Sequence, residues 1–233
     1  MFTTKAYAFR SPGAPPLNLE HARSNMIEQQ VRTWDVLDAR VLDVLRTVPR
    51  EDYAPAAHRK LAFSDLRIPL DGHQVMMKPI EEGRCLQSLA LEGGETVLEI
   101  GAGSGFLTAC LAALGAEVIS LEILESLVDQ ARRALDAHGV ERVDVRHADA
   151  LEARFDEASF DAIVVTASVS AIPDSFGGWL KPGGRMFIVR GASPAMEALR
   201  VTRTGSGRLA EESLFDTDLP RLIGAEDVPK FEF

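Results

Sequence analysis

The 233-residue chain is poor in cysteine and in aromatic residues, and it has no excess of positive charge. Its two cysteines, Cys85 and Cys110, are too few for a disulfide framework or a thiolate metal site, and both stand among apolar neighbours. We expect both to be reduced core residues. Acidic residues outnumber basic ones by 35 to 25 and the basic residues form no cluster, which argues against a nucleic-acid or anionic-membrane partner.

Long apolar runs are also missing. No run approaches the roughly 18–20 residues of a membrane span, and the N-terminus has no apolar signal core. The histidines are scattered without ligand spacing, so we assign no metal. These absences predict a cytoplasmic protein with no membrane partner.

What the chain does have is the composition of an ordinary globular protein, with 46% hydrophobic residues. Residues 1–20 carry three prolines and almost no acid, which predicts an extended arm. We predict a single domain over 21–233, divided into N-terminal helices and a loop (21–92) and an α/β core (93–233). Helical spacing from 21 to 48 predicts one or two helices that end before Pro49.

Residues 64–79 show no clean period and are interrupted by proline, so they predict a loop or a short ribbon, and a helical pattern resumes over Ile80–Leu91. From residue 96 the pattern changes to short β-branched runs that predict strands at 96–100, 117–121, 143–147, 160–165 and 185–189. Helices are predicted between the first three, at 106–114 and 124–138. Such alternation is typical of a doubly wound parallel sheet, which binds ligands beyond the carboxyl ends of its strands.

The segment VLEIGAGSG, residues 97–105, ends the first of these strands in a glycine-rich loop. It does not meet the dinucleotide fingerprint, because Phe106 stands where the third glycine belongs, and it lacks the lysine of a phosphate-binding loop. Glu99 would bring a negative charge towards a ligand that carries an ammonium or sulfonium group. The loop therefore favours S-adenosylmethionine, and the alternative is a plain turn between strand and helix.

Three more polar residues follow predicted strands. Glu122 is placed to accept both ribose hydroxyls, Asp149 to accept from the adenine amino group, and Thr166 to face the cofactor. The structural alternative for Glu122 is a charge at a helix terminus, and for Asp149 it is a turn residue. For Thr166 it is a strand-end hydroxyl whose hydrogen bond is made within the protein. The predicted cofactor-binding residues are Glu99, Gly101, Ala102, Gly103, Ser104, Gly105, Glu122, Ile123, Asp149, Ala150 and Thr166.

Several segments resemble the class I S-adenosylmethionine-dependent methyltransferases: VLEIGAGSG, SLE, HADA, FDAIVVTAS and LKPGGRMFIV. The stretch MIEQQVRTWDVLDARVLDVLRTVPREDYAP, followed by AFSDLRIPL, is similar to the protein-L-isoaspartate O-methyltransferases, and the resemblance covers roughly residues 23–223. It implies a seven-stranded, mostly parallel, Rossmann-like sheet with N-terminal helices. It also implies methylation of isoaspartyl carboxylates in peptides or proteins, a role in protein repair, and S-adenosylhomocysteine as the product of the cofactor.

One loop departs from this family. The family has a G-Q-T-I-S-Q-P-like loop over the methyl donor, whereas this chain has HQVMMKP at 73–79, with Val75 and Met77 in place of the hydroxyl residues. The resemblance assigns His73, Gln74, Val75, Met76, Met77 and Pro79 to the substrate loop.

We assign no catalytic acid or base, because an acceptor carboxylate is already ionised at neutral pH. Two other functions stay open. One is a methyltransferase of the same fold that acts on a less polar acceptor, including an unidentified small molecule, and the other is a non-catalytic cofactor-binding module. The structural alternative for Met76 and Met77 is packing beneath the loop.

Overall fold

The computed structural model describes residues 18–225. The strands of its main sheet are β3 Thr96–Ile100, β4 Glu117–Glu122, β5 Val143–His147, β6 Phe160–Val169, β7 Leu180–Ala192, β8 Ala195–Arg203 and β9 Leu209–Thr217. They lie in the order β5-β4-β3-β6-β7-β8-β9. The pairs from β5 to β7 are parallel, and β8 and β9 are added antiparallel. The doubly wound sheet and its seven strands are confirmed.

The predicted helices lie close to their expected positions, and two further short helices, α3 and α7, were not predicted. They are α1 Leu19–Met26, α2 Ala39–Thr47, α3 Arg50–Tyr53, α4 Pro79–Leu89, α5 Phe106–Ala113, α6 Glu125–Ala137 and α7 Asp174–Trp179. A π-helical turn at Ile27–Val31 and a 3-10 turn at Arg32–Trp34 continue α1, and further 3-10 turns occur at Ala56–Leu61 and Asp71–His73. The predicted arm lies outside the described residues up to residue 17, and its last two residues, 19 and 20, already belong to α1.

The two faces of the sheet bury two separate apolar layers. Val97 of β3 belongs to the layer shared with α1, α2, α4, α5 and α6, whereas Leu98 belongs to the layer shared with Trp179 of α7. Because both faces are covered, the central strands are continuous apolar runs, which made them visible in the sequence. Cys85 and Cys110 are free thiols buried in the first layer. In the described part of the chain, no helix is long and apolar enough to cross a membrane.

A two-stranded antiparallel ribbon, β1 Ile68–Pro69 and β2 Val75–Met76, occupies the segment that was predicted as a loop or ribbon. Its turn is closed by the Leu70 amide, which donates to the carbonyl of Gln74 at 2.8 Å. The ribbon lies against the glycine loop, since a Cβ added at Gly103 would be 3.3 Å from Cδ1 of Leu70. The ribbon therefore covers the loop at the carboxyl edge of the sheet.

The chain after β9 returns to the same edge. The Ser168 amide donates to the carbonyl of Pro220, and the Leu222 amide donates to the carbonyl of Ser168, both at 2.8 Å. Residues 219–223, which we call the C-terminal segment, are thereby fixed beside the end of β6.

Candidate functional site

A cleft opens at the carboxyl ends of β3, β4 and β6, where the direction of strand addition reverses. Its walls come from the ribbon, the glycine loop, the ends of these three strands, the residues after β5 and the C-terminal segment. The lining residues are Gln74, Val75, Ile100, Gly101, Gly103, Leu121, Glu122, Ile123, Ala148, Asp149, Ala150, Thr166, Ala167, Pro220, Arg221, Leu222 and Ile223. Most of the predicted cofactor-binding residues are therefore brought together.

The amides of the glycine loop are directed into the protein. Gly101 N and Ala102 N donate to the Leu121 carbonyl at 2.8 and 3.3 Å, and Gly103 N donates to Oε2 of Glu122 at 3.0 Å. Gly105 N donates to the Ala102 carbonyl at 2.8 Å. A loop that cradles phosphate instead points its amides at the ligand. This loop is therefore unsuited to a pyrophosphate.

Thr166 holds the loop from the neighbouring strand. Its hydroxyl donates at 2.8 Å to the Gly101 carbonyl and lies 3.1 Å from the Ile100 carbonyl. Gly101 has a φ of +95°, and a Cβ there would lie 2.3 Å from the Thr166 oxygen, so only glycine fits this approach. Thr166 lines the cleft, and its hydroxyl donates its proton to the loop, so it could serve a ligand only as an acceptor.

Two carboxylates line the cleft. Glu122 is 6% exposed, and its two oxygens accept from the amides of Gly103 and Leu124, both at 3.0 Å. Asp149 accepts from the Leu151 amide at 2.8 Å. Because a carboxylate oxygen has two acceptor positions, each group is fixed by the backbone and still able to accept from a ligand.

Apart from Gln74, Thr166 and Arg221, the remaining side chains of the wall are apolar, and Ile123 and Ala150 stand next to the two carboxylates in sequence. Carboxylate acceptors beside apolar surface fit the hydroxyl and amino donors of a nucleoside such as adenosine.

Glu99 does not lie where it was predicted. It is fully buried, and one oxygen accepts from Thr108 of α5 and Ser120 of β4, both at 2.5 Å, whereas the other has no hydrogen-bond partner among residues 18–225. Burial raises its pKa to about 7, against the effect of these two hydroxyls. Glu99 shares the face of β3 with Val97, which is covered by α5, so it lies beneath the loop and outside the cleft wall.

Gly105 also lies outside the wall. It stands before α5, and a Cβ there would be 3.2 Å from Ala131 of α6, so its role is helix packing.

The substrate loop is divided between two cavities. Gln74 and Val75 line the cleft, whereas Val75, Met76 and Met77 line a smaller cavity with Ala102, Ser104 and Glu82. Both methionines are 4% exposed, which supports the packing alternative. His73 is exposed at the turn, and Pro79 is the buried first residue of α4; neither lines these cavities.

A buried ion pair beneath the ribbon was not predicted. Arg50 is fully buried and contacts Glu82 through Nε at 2.8 Å, while its other nitrogens donate to the carbonyls of Ala62 at 2.5 Å and Met77 at 2.6 Å. Burial raises the pKa of Glu82 to about 7, although Arg50 opposes the shift. The sequence signal that could have revealed this ion pair is the pair of consecutive glutamates, Glu81 and Glu82, in the first turn of α4.

Sequence reasoning also missed the C-terminal segment, which supplies Pro220, Arg221, Leu222 and Ile223 to the cleft. The only sign of this segment in the sequence was the apolar, proline-containing stretch DLPRLIG, whose apolar residues follow neither the spacing of a strand nor that of a helix. Between residues 18 and 225, no group of three or more His, Cys, Asp or Glu side chains is arranged to hold a metal ion.

Comparison with known proteins supplies the family. The model of the family "Protein-L-isoaspartate(D-aspartate) O-methyltransferase (PCMT)" matches residues 21–217. A protein-L-isoaspartate O-methyltransferase of Rhodopseudomonas palustris is 38% identical over 202 residues, covering 86% of this chain and 93% of that protein. One of Syntrophotalea carbinolica is 37% identical over 203 residues, covering 87% and 94%.

A Plasmodium falciparum structure, described as a beta-aspartate methyltransferase (PCMT) in complex with S-adenosyl-L-homocysteine, matches with a TM-score of 0.75 at 20% identity. The match covers 88% of this chain and 98% of that one, and it supports the fold. On the evidence of the family model and the curated relatives, the chain belongs to the protein-L-isoaspartate O-methyltransferase family.

Proposed function

We propose that the chain is an S-adenosylmethionine-dependent methyltransferase that esterifies the carboxylate of isoaspartyl residues in proteins or peptides. The observation that carries this is the cleft itself: two backbone-held carboxylates beside a glycine loop whose amides point inwards, in a chain of this family. The resulting ester would begin the repair of a damaged residue. The two free thiols suit a reducing compartment, so we place the reaction in the cytoplasm.

The residues proposed to hold the cofactor are those of the cleft wall. Glu122 would accept from the ribose hydroxyls and Asp149 from the adenine amino group, while Gly101 and Gly103 let the ligand approach the backbone. S-adenosylmethionine, when bound, supplies an electrophilic methyl group that bonds to an acceptor oxygen as its carbon–sulfur bond breaks.

No proton has to move, because the acceptor carboxylate is already ionised. The chain's own contribution is therefore to orient the acceptor and exclude water, and the ribbon and the C-terminal segment are the parts placed to do so.

A second candidate is a methyltransferase with a less polar acceptor. Val75 lines both cavities, and Met77 lines the smaller one, at the positions where the family loop carries hydroxyls. Hydrogen bonds to a charged acceptor contribute roughly 1.5–3 kcal/mol each, so their loss would weaken carboxylate binding. Flexible thioethers adapt well to irregular apolar groups.

The test is transfer of a radiolabelled methyl group to an isoaspartyl peptide, with the matching aspartyl peptide as the control. The proposal expects S-adenosylmethionine-dependent label on the isoaspartyl peptide alone. Binding of S-adenosylhomocysteine without labelling of either peptide would reject isoaspartyl methylation and favour the second candidate or a non-catalytic module. Loss of S-adenosylhomocysteine binding as well would reject the whole assignment.

A further inference from the structure

Glu81, in the first turn of α4, connects three separate segments of the chain. One oxygen accepts from Nη2 of Arg67 at 2.5 Å and from the hydroxyl of Thr217 at 2.7 Å, and the other accepts from the Lys78 amide at 3.0 Å. Arg67 also donates to the Thr217 oxygen at 2.8 Å. We call Arg67, Glu81 and Thr217 the Glu81 cluster.

The cluster lies at the base of both walls that could face an acceptor. Arg67 immediately precedes β1, so it fixes the start of the ribbon, and Lys78 follows Met77, where the second strand leaves the same open end of the ribbon. Thr217 is the last residue of β9 and leads into the C-terminal segment. A single carboxylate therefore joins the start of the ribbon to the residue that leads into the C-terminal segment.

The cluster is largely shielded from water. The side chain of Glu81 is 6% exposed and that of Arg67 is 25% exposed. An ion pair with a buried carboxylate fixes geometry more firmly than a surface pair, because loss of its partner leaves an uncompensated charge. The Arg50–Glu82 pair holds the same open end of the ribbon through the Met77 carbonyl, because Ile68 pairs with Met76, so both strands of the ribbon are anchored there.

We propose that the Glu81 cluster positions the ribbon and the C-terminal segment for methyl transfer, which makes Arg67 and Glu81 positioning residues of the enzyme. The inference rests on the proposed function, since it assigns Val75 and the C-terminal segment to the acceptor opening. Both line the cleft and also the groove beside it, which Arg67 borders. A shift of the cluster would move both walls without touching Glu122 or Asp149.

The test compares Arg67→Met with Arg185→Met. Arg185 binds Glu95 at 3.1 Å and the carbonyls of Leu89 and Ala90, so it anchors the opposite end of α4, away from the cleft. Its ion pair is also shielded, with exposures of 14% and 15%. We expect Arg67→Met to lower kcat/KM for the isoaspartyl peptide at least tenfold, with the Kd of S-adenosylhomocysteine changed less than twofold. Arg185→Met should lower Tm and leave kcat/KM within twofold.

Hydrogen exchange gives a readout independent of activity. The Leu70 amide closes the ribbon, so it should exchange faster in Arg67→Met than in Arg185→Met, and Arg67→Lys should restore part of both properties. The inference is overturned if Arg67→Met keeps wild-type exchange in the ribbon, or if both variants lose kcat/KM in proportion to Tm. If the wild type labels no isoaspartyl peptide, the proposed function fails, and the exchange comparison still decides whether the cluster positions the ribbon.

Discussion

Replacing Glu122 by alanine separates the two tasks that the structure gives this carboxylate. In the free protein it accepts from the amides of Gly103 and Leu124, both at 3.0 Å, and so braces the glycine loop. In the proposed complex it also accepts from the ribose. Glu122→Ala should therefore lower both the stability of the free protein and its affinity for S-adenosylhomocysteine.

The two losses have different sizes. A hydrogen bond to a charged group contributes roughly 1.5–3 kcal/mol, but water entering from the open cleft replaces part of what the two amides lose. We expect a net destabilisation of about 1–3 kcal/mol, which corresponds to a Tm lower by roughly 3–10 °C for a chain of this size. Losing the ribose contacts as well should weaken S-adenosylhomocysteine binding about ten- to a hundredfold, at 1.4 kcal/mol per decade.

Calorimetric titration and thermal unfolding measure the two effects, and Asp161→Ala is the matched control. Asp161 accepts from the Thr96 amide at 2.9 Å and from Lys181 at 2.8 Å, where β3 begins, so it braces the sheet at the edge away from the cleft. It should lower Tm and leave the Kd unchanged. If Glu122→Ala lowers Tm but binds S-adenosylhomocysteine as tightly as the wild type, the carboxylate only braces the loop and the cofactor assignment is wrong.

Three further changes test the rest of the site. Val75→Thr combined with Met77→Ser should raise labelling of an isoaspartyl peptide about ten- to a hundredfold, and an unchanged rate would show that the lost hydroxyls do not govern acceptor choice. Glu99→Gln should flatten the pH dependence of the unfolding free energy. Because the pKa of Glu99 is raised to about 7 in the folded protein, the wild type loses stability as pH rises from 4.5 to 7, and equal slopes for wild type and variant would contradict this prediction. Gly101→Ala should lower stability and S-adenosylhomocysteine affinity more than Gly94→Ala does. Both glycines have positive φ, but a Cβ at Gly94 would have nothing within 4 Å, whereas one at Gly101 would meet Thr166. Equal effects of the two substitutions would exclude the contact with Thr166 as the cause.

The parts of the fold set by local pattern were predictable. Strands β3 and β5 match their predicted bounds, because each is a short apolar or β-branched run closed by turn residues. β8 and β9 were not predicted as strands, since β9 is an exposed edge strand rich in polar residues and has little apolar period to detect. Their place in the sheet depends on long-range antiparallel pairing.

The site was predictable where a residue's place follows from its strand. Glu122, the last residue of β4, and Asp149, two residues after β5, reach the cleft because the carboxyl ends of parallel strands meet at one edge. Glu99 was misplaced because its position within β3 decides which face it occupies, and that face is covered by α5. The C-terminal segment could not be placed from sequence, because its hydrogen bonds to Ser168 join residues more than fifty positions apart.

The raised pKa values of Glu82 and Glu99 have a structural cause. Burial is the main cause of the shift at both Glu82 and Glu99, and each is held by structural partners, Arg50 in one case and two hydroxyls in the other. Methyl transfer to an ionised carboxylate needs no acid or base, so such groups are free to serve the fold. The proposed reaction needs an acceptor that is held in line and kept dry, and we assign this task to the ribbon and the C-terminal segment. The ion pairs of Glu81 and Glu82 tie the ribbon to helix α4, and Thr217 brings the chain that leads into the C-terminal segment to the same carboxylate.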